Sequence, residues 1–147
     1  MANIKFIGRE KELNKLDEMS KDGFFLIVKG RRRIGKTFLL RKAFSKAIYI
    51  FIWPDKSIEW ILEQISMEYK MPQFKNFGSL LEYLFEQNKI VIIDEFQNFL
   101  NVDKSIYGEI QKVVDERKQK KKVFQLAVAG SSYSLMNKVF YNSASPL

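Results

Sequence analysis

The chain has 147 residues, and its 25 lysines and arginines against 17 acidic residues give a formal charge of +8. That length suits one domain spanning 1–147, and the surplus of cations favours anionic partners such as phosphates, nucleic acid or an anionic membrane surface. Neither cysteine nor histidine occurs, which excludes disulfides, thiol catalysis, histidine general bases and the usual zinc sites, so any metal must be bound through oxygen.

Hydrophobic residues make up 46% of the chain, enough for a packed core rather than a disordered segment. Leu13, Leu16 and Met19 fit one face of a short helix after Arg9, and Asp22-Gly23 ends it before the apolar run Phe24 to Val28, which reads as a buried strand. Lys36 to Ser45 has helical spacing at Leu40, Ala43 and Phe44. A β-branched and aromatic run, Ala47 to Trp53, follows as a second strand stopped by Pro54. This run is the longest uninterrupted apolar stretch and falls far short of the ~18 residues that span a bilayer, so the expectation is a soluble, cytoplasmic protein without a membrane partner.

Two helices are predicted next, one carrying Ile58, Ile61, Leu62 and Ile65 and the other Leu80, Leu81, Leu84 and Phe85, with Pro72 and Gly78 between them. Ile90 to Asp94, IVIID, is the third strand. Ile106, Ile110, Val113 and Val114 mark a helix ending in the basic run Arg117 to Lys122, where cations suit the negative end of the helix dipole. Val123 to Ala129 is the fourth strand, and Leu135, Met136, Val139 and Phe140 belong to a last helix. Alternating strands and helices, with several strands apolar on both faces, predict an α/β fold with a mainly parallel sheet covered on both sides.

Two segments carry chemistry. Gly30-Arg31-Arg32-Arg33-Ile34-Gly35-Lys36-Thr37 satisfies G-x-x-x-x-G-K-[ST] between a strand and a helix start. There the backbone N–H groups and the helix dipole can cradle phosphates, Lys36 can reach the β- and γ-phosphates, and the Thr37 hydroxyl can face Mg²⁺. Arg31 to Arg33 add positive potential at the loop's tip. They contact the nucleotide's oxygens, meet nucleic acid or an acidic partner, or stay solvated.

Asp94-Glu95 puts two carboxylates at the end of a buried strand. Asp94 suits Mg²⁺ held through its water shell, and Glu95 suits activation of an attacking water; the alternative is that both cap the next turn. Ser131 and Ser132, after the fourth strand, stand either beside a γ-phosphate or as N-caps of the last helix. The run Lys118 to Lys122 reads as a solvated helix end, with no accompanying motif for reading RNA or DNA.

FIGREKELNKL at Phe6 to Leu16, GRRRIGKTFLL, VIIDEFQ and AVAGSS together resemble the archaeal ATPase family, AAA+-related P-loop proteins of the signal-transduction ATPase type. The resemblance covers nearly the whole chain. GKT and DE are shared with many P-loop groups, whereas the GRE box, the arginine-rich loop and Phe96-Gln97 after DE are more particular to this family.

The resemblance implies a three-layer α/β/α P-loop domain, with Phe6, Ile7, Gly8 and Arg9 on the adenine side, although spacing alone makes Arg9 and Glu10 the start of a solvated helix. It also implies that Gly30 to Thr37 form the ATP loop, that Asp94 is the Mg²⁺ residue and that Glu95 is the catalytic acid assisted by Lys36. The sheet, counted from FFLIV as strand one, should run five, one, four, three, two. Members continue into a fifth strand and a helical lid, for which the 17 residues from Ser131 to Leu147 are too few. FFLIV is therefore expected at a sheet edge, an association liability that a second copy or a protein partner would cover.

The function expected is Mg²⁺-dependent ATP binding with slow or partner-dependent hydrolysis. The alternatives are a non-hydrolysing nucleotide-binding or interaction module, with nucleic acid as a candidate partner, and a small-molecule or nucleotide kinase.

Overall fold

The computed structural model describes residues 3–7, 23–29, 41, 42, 44–131, 135–137 and 139, with only the backbone at 3–7 and 29. The predicted first helix and the segment Gly30 to Leu40, which holds the whole candidate phosphate loop, lie outside the described residues, as do Gly8, Arg9 and Ser132.

Five strands form one sheet: β1 (Asn3–Ile7), β2 (Phe24–Lys29), β3 (Ile48–Phe51), β4 (Ile90–Asp94) and β5 (Gln125–Gly130). Their order is β1-β2-β5-β4-β3, and every pairing is parallel. Counted from Phe24–Lys29, the last four positions are one, four, three, two, as the resemblance implies.

One expectation is overturned. FFLIV is not an edge strand, because Asn3–Ile7 pairs along its whole length with Phe24 to Val28. The N-terminal segment occupies the position expected of a strand after β5, so an exposed FFLIV edge no longer argues for a covering partner or second copy.

Alternation along the strands sorts the core into two faces. Phe25 and Ile27 of β2, Ile48 and Ile50 of β3, Val91 and Ile93 of β4, and Leu126 and Val128 of β5 share one cluster. It is covered by α1 (Ile58–Tyr69), α2 (Phe77–Glu86) and α4 (Ser105–Gln119), while α3 (Phe99–Val102) is a single turn adding Phe99. Phe24, Leu26, Val28, Ile92, Ala127 and Ala129 point the other way and pack with Phe44. A strand buried on both faces explains why these runs are apolar without interruption.

Local chemistry sets the element ends. Ser57 Oγ accepts from Trp60 N at 3.1 Å to start α1, and Asn76 Oδ1 accepts from Ser79 N at 2.8 Å to start α2. β3 is shorter than the predicted Ala47 to Trp53, and Trp53, ahead of Pro54, is exposed.

β5 starts two residues later than predicted. Arg117, at the end of α4, donates to the Val123 carbonyl at 2.7 Å and to Glu86 Oε1 at 2.8 Å, and Lys122 reaches the same Glu86 oxygen at 3.2 Å. These donors hold the Glu86 carboxyl below the usual carboxylate range. The basic run is thus partly structural, with two of its cations tying α4 and the start of β5 to α2. Leu135 to Asn137 and Val139 are helical as predicted, with Met136 and Val139 buried in the first cluster.

Gly23 enters β2 with φ +82°, and a Cβ there would lie 2.7 Å from the Phe124 carbonyl oxygen. That oxygen also accepts from Phe24 N at 2.9 Å, so it cannot move away without breaking a sheet-entry bond. Gly23→Ala is expected to destabilise the protein by more than the ~1–2 kcal/mol of a left-handed non-glycine backbone, because the contact adds to it. Chemical denaturation checks this, and a midpoint equal to that of the parent chain would contradict it.

Candidate functional site

In open parallel sheets, ligands gather at the carboxyl ends of the strands. Here Lys29 pairs with Gly130 and Ile93 with Val128, so β2, β5 and β4 end nearly level. The candidate phosphate loop begins one residue beyond Lys29. β5 lies between β2 and β4, which sets that loop's root about 10 Å from the end of β4. Ile7 pairs with Val28, so β1 also ends at this edge.

Asp94 and Glu95 leave β4 at this edge, each only 2% exposed. Buried carboxylates demand donors, and both have them. Asp94 Oδ1 accepts from Glu95 N at 2.8 Å, and Asp94 Oδ2 accepts from the Tyr49 hydroxyl. Tyr49 is itself fixed from two sides. The Tyr69 hydroxyl accepts from Tyr49 N at 2.9 Å and donates to Tyr49 O at 3.1 Å, and the Arg41 guanidinium sits 4.3 Å from the Tyr49 ring centroid. Burial raises the Tyr69 phenol above its ordinary value, which keeps it a donor at neutral pH.

Glu95 has φ 55° and ψ 46°, a left-handed conformation that a non-glycine residue adopts at a cost of ~1–2 kcal/mol. Such backbones persist where the surroundings over-determine them, commonly at functional sites. The surroundings here are specific. The next residues form a 3-10 turn, Phe96–Asn98, in which Asn98 N donates to Glu95 O at 2.9 Å, and Asn98 Nδ2 reaches Ile52 O at 2.8 Å. The Tyr107 hydroxyl donates to Phe96 O at 2.8 Å from α4, and burial pushes this phenol well above its ordinary value.

With the backbone so turned, the Glu95 carboxylate faces the tip of β5. Its Oε2 accepts from Ser131 Oγ at 2.8 Å, from Ser131 N at 3.4 Å and from Gln97 Nε2.

The structure therefore brings Asp94, Glu95 and Ser131 together at the edge where β2 leads into the candidate phosphate loop. Glu95 stands at the N-cap position of the 3-10 turn but makes no side-chain cap hydrogen bond there; its backbone carbonyl takes Asn98 N instead. Ser131 has its hydroxyl on Glu95. Phe6 and Ile7 stand in the outer strand β1. Three contributors escaped sequence reasoning. Tyr49 reaches Asp94, and Tyr69 holds the Tyr49 backbone, only through pairing across the fold, which the sequence does not reveal; Gln97 stands in the sequence as a family marker without a role.

Among the described residues, no three acidic, cysteine or histidine side chains gather as a ready metal cage, and no helix is long and apolar enough to cross a membrane.

A family model described as an AAA domain matches residues 23–145. An uncharacterized protein of Methanocaldococcus jannaschii is 30% identical over 157 residues, an alignment covering 97% of this chain and 33% of that protein. The Walker-type ATPase of Pyrococcus abyssi superposes with a TM-score of 0.65 at 20% identity, covering 95% of this chain and 50% of the other. Cdc6p from Pyrobaculum aerophilum gives 0.56 at 19% identity, covering 88% and 40%. At these identities the two structures speak for the fold. The chain spans about a third of the M. jannaschii protein and half of the P. abyssi ATPase.

Proposed function

The chain belongs to the AAA domain family, AAA+-related P-loop ATPases of archaeal type, and on that premise we propose that it binds ATP with Mg²⁺ at the carboxyl edge of its sheet and hydrolyses it slowly or with a partner's help. The observation that carries this reading is the pair of buried carboxylates, Asp94 and Glu95, leaving β4 two strands from the root of a G-x-x-x-x-G-K-T loop.

In this reading Gly30 to Thr37 wrap the phosphates with backbone N–H groups, Lys36 balances charge on the β- and γ-phosphates, and Phe6 to Arg9 flank the adenine. Asp94 and Thr37 would hold Mg²⁺. Asp94 fits the ion: it is an oxygen donor oriented by Tyr49 and Glu95 N, and Mg²⁺ is commonly held by one or two carboxylates, directly or through its water shell, together with phosphate oxygens. The bound ion supplies neutralisation of the charge on the phosphate oxygens.

Glu95 accepts the proton of the water that attacks the γ-phosphorus in line. The new P–O bond replaces the bond to the β–γ bridging oxygen, and ADP and phosphate leave. Ser131, bonded to Glu95, sets the acid's direction from β5.

A thermal-shift titration with ATP, ADP and a non-hydrolysable analogue, with and without Mg²⁺ and alongside phosphate release, tests the proposal. At a hundredfold excess over Kd, the linkage gain of about 2.7 kcal/mol is expected to raise Tm by roughly 5–10 °C with ATP and Mg²⁺. Phosphate should appear in the same sample. Equal stabilisation by every nucleotide with no phosphate favours the non-hydrolysing module, and no stabilisation by any of them removes the proposal.

A further inference from the structure

We infer that Gln97 is a positioning residue for the Glu95 carboxylate, an assignment that rests on reading Glu95 as the water-activating acid and extends it. Gln97 lies in the 3-10 turn and is 4% exposed. Its Nε2 donates to Glu95 Oε2, the oxygen that also takes both donors of Ser131. Its other amide atom, Oε1, is buried with no hydrogen-bond partner among the described residues.

A turn selected only for stability would not keep such a side chain. Methionine or leucine fills comparable space without orphaning an acceptor, and an unpaired buried carbonyl costs stability. The amide is therefore explained by the half that is used. Nor can it swap ends, since the reverse orientation would face Oε1 against a carboxylate oxygen, acceptor against acceptor.

The tip of β5 is cut to admit this amide. A Cβ on Gly130 would lie 2.5 Å from Gln97 Oε1 and 2.4 Å from Met136 Sδ, so a side chain there would push the Gln97 amide and the Met136 side chain out of their present positions. Gly130 supplies the space, Gln97 the fixed donor and Ser131 the second donor. Together they pin an acid that enters from a left-handed backbone and that would otherwise choose among several rotamers.

The experiment uses the full chain with ATP and Mg²⁺ and measures melting temperature, nucleotide Kd and single-turnover rate for the parent, Gln97→Met, Glu95→Gln and the double variant. Gln97→Met is expected to melt at the parent's temperature or above and to hold nucleotide within about twofold. Its hydrolysis should fall by about tenfold or more, the scale on which a mispositioned group loses rate. The double variant should be no slower than Glu95→Gln alone, because Gln97 acts through Glu95. Gln97→Leu answers the same question should the methionine variant not fold, and Gly130→Ala should lower the rate by displacing the amide from outside.

A parent-like rate in Gln97→Met while Glu95→Gln is inactive overturns the assignment and leaves the Glu95 reading standing. A parallel loss of melting temperature, affinity and rate in Gln97→Met makes its role merely structural and overturns it too. No hydrolysis by the parent, or equal hydrolysis by Glu95→Gln, removes the Glu95 reading and this inference with it.

Discussion

Glu95→Gln is expected to bind ATP within about twofold of the parent chain and to lose single-turnover hydrolysis by about 10²- to 10⁴-fold, the range for removal of a general base. The substitution is nearly isosteric. Glutamine keeps an oxygen for the Ser131 hydroxyl now 2.8 Å from Glu95 Oε2, so the tip of β5 and the 3-10 turn stay in place. What disappears is the buried negative charge that can accept a proton. The fold-change corresponds to about 2.7–5.4 kcal/mol of transition-state stabilisation, with little ground-state loss because the proposed function assigns the phosphates to the loop after β2 and not to Glu95. Rapid-quench measurement of phosphate from enzyme-bound ATP, with binding measured separately, checks it. Cleavage at the parent rate would strike Glu95 from the reaction and leave the carboxylate pair a structural feature of the turn.

The strands and helices on the larger face of the sheet were legible because their signals are local. IVIID reads as a buried strand ending in acids, and β4 ends at Asp94 as read. α1, α2 and α4 follow from period-3.6 apolar residues, whereas the caps Ser57 and Asn76 emerge only in the structure, and Gly78, expected between two helices, lies inside α2 because Asn76 starts that helix ahead of it. β1 was not legible. Asn3 to Ile7 alternates weakly, and what makes it a strand is pairing with β2, a partner about 20 residues away that leaves no mark on the segment itself.

The site divides the same way. Asp94 and Glu95 stood out as unexplained acids, but the groups that orient them come from positions 45 and 36 residues distant, Tyr49 and Ser131, and depend on the register of three strands. The left-handed backbone at Glu95 has no sequence signature either, since glycine or asparagine is the residue that would announce it. The phosphate loop is the reverse case: its pattern is explicit in the sequence, and its assignment rests there.

The turn carrying Glu95 should also depend on the aromatic cluster beneath it, which makes Phe96→Ala the substitution with the largest expected cost to stability. Phe96 is fully buried, packs edge-on at 5.8 Å from Phe99 and 5.1 Å from Tyr107, and offers its carbonyl to the Tyr107 hydroxyl. Phe99 in turn meets Phe77 at 5.3 Å, so the cluster joins the site's turn to α2 and α4. Truncation leaves a cavity among rigid rings that cannot collapse to fill it. The cost expected is about 3–5 kcal/mol, a large share of the roughly 5–15 kcal/mol that holds a domain folded. Tm should fall by roughly 10 °C or more, while Met67→Ala, on the exposed face of α1, should stay within about 0.5 kcal/mol of the parent. Because Phe96 follows Glu95 directly, hydrolysis should fall even below the melting transition as the left-handed turn loses its support. A Phe96→Ala shift as small as that of Met67→Ala would mean that the backbone at Glu95 is held by its hydrogen bonds alone, and that the rings below it contribute packing without setting the acid's position.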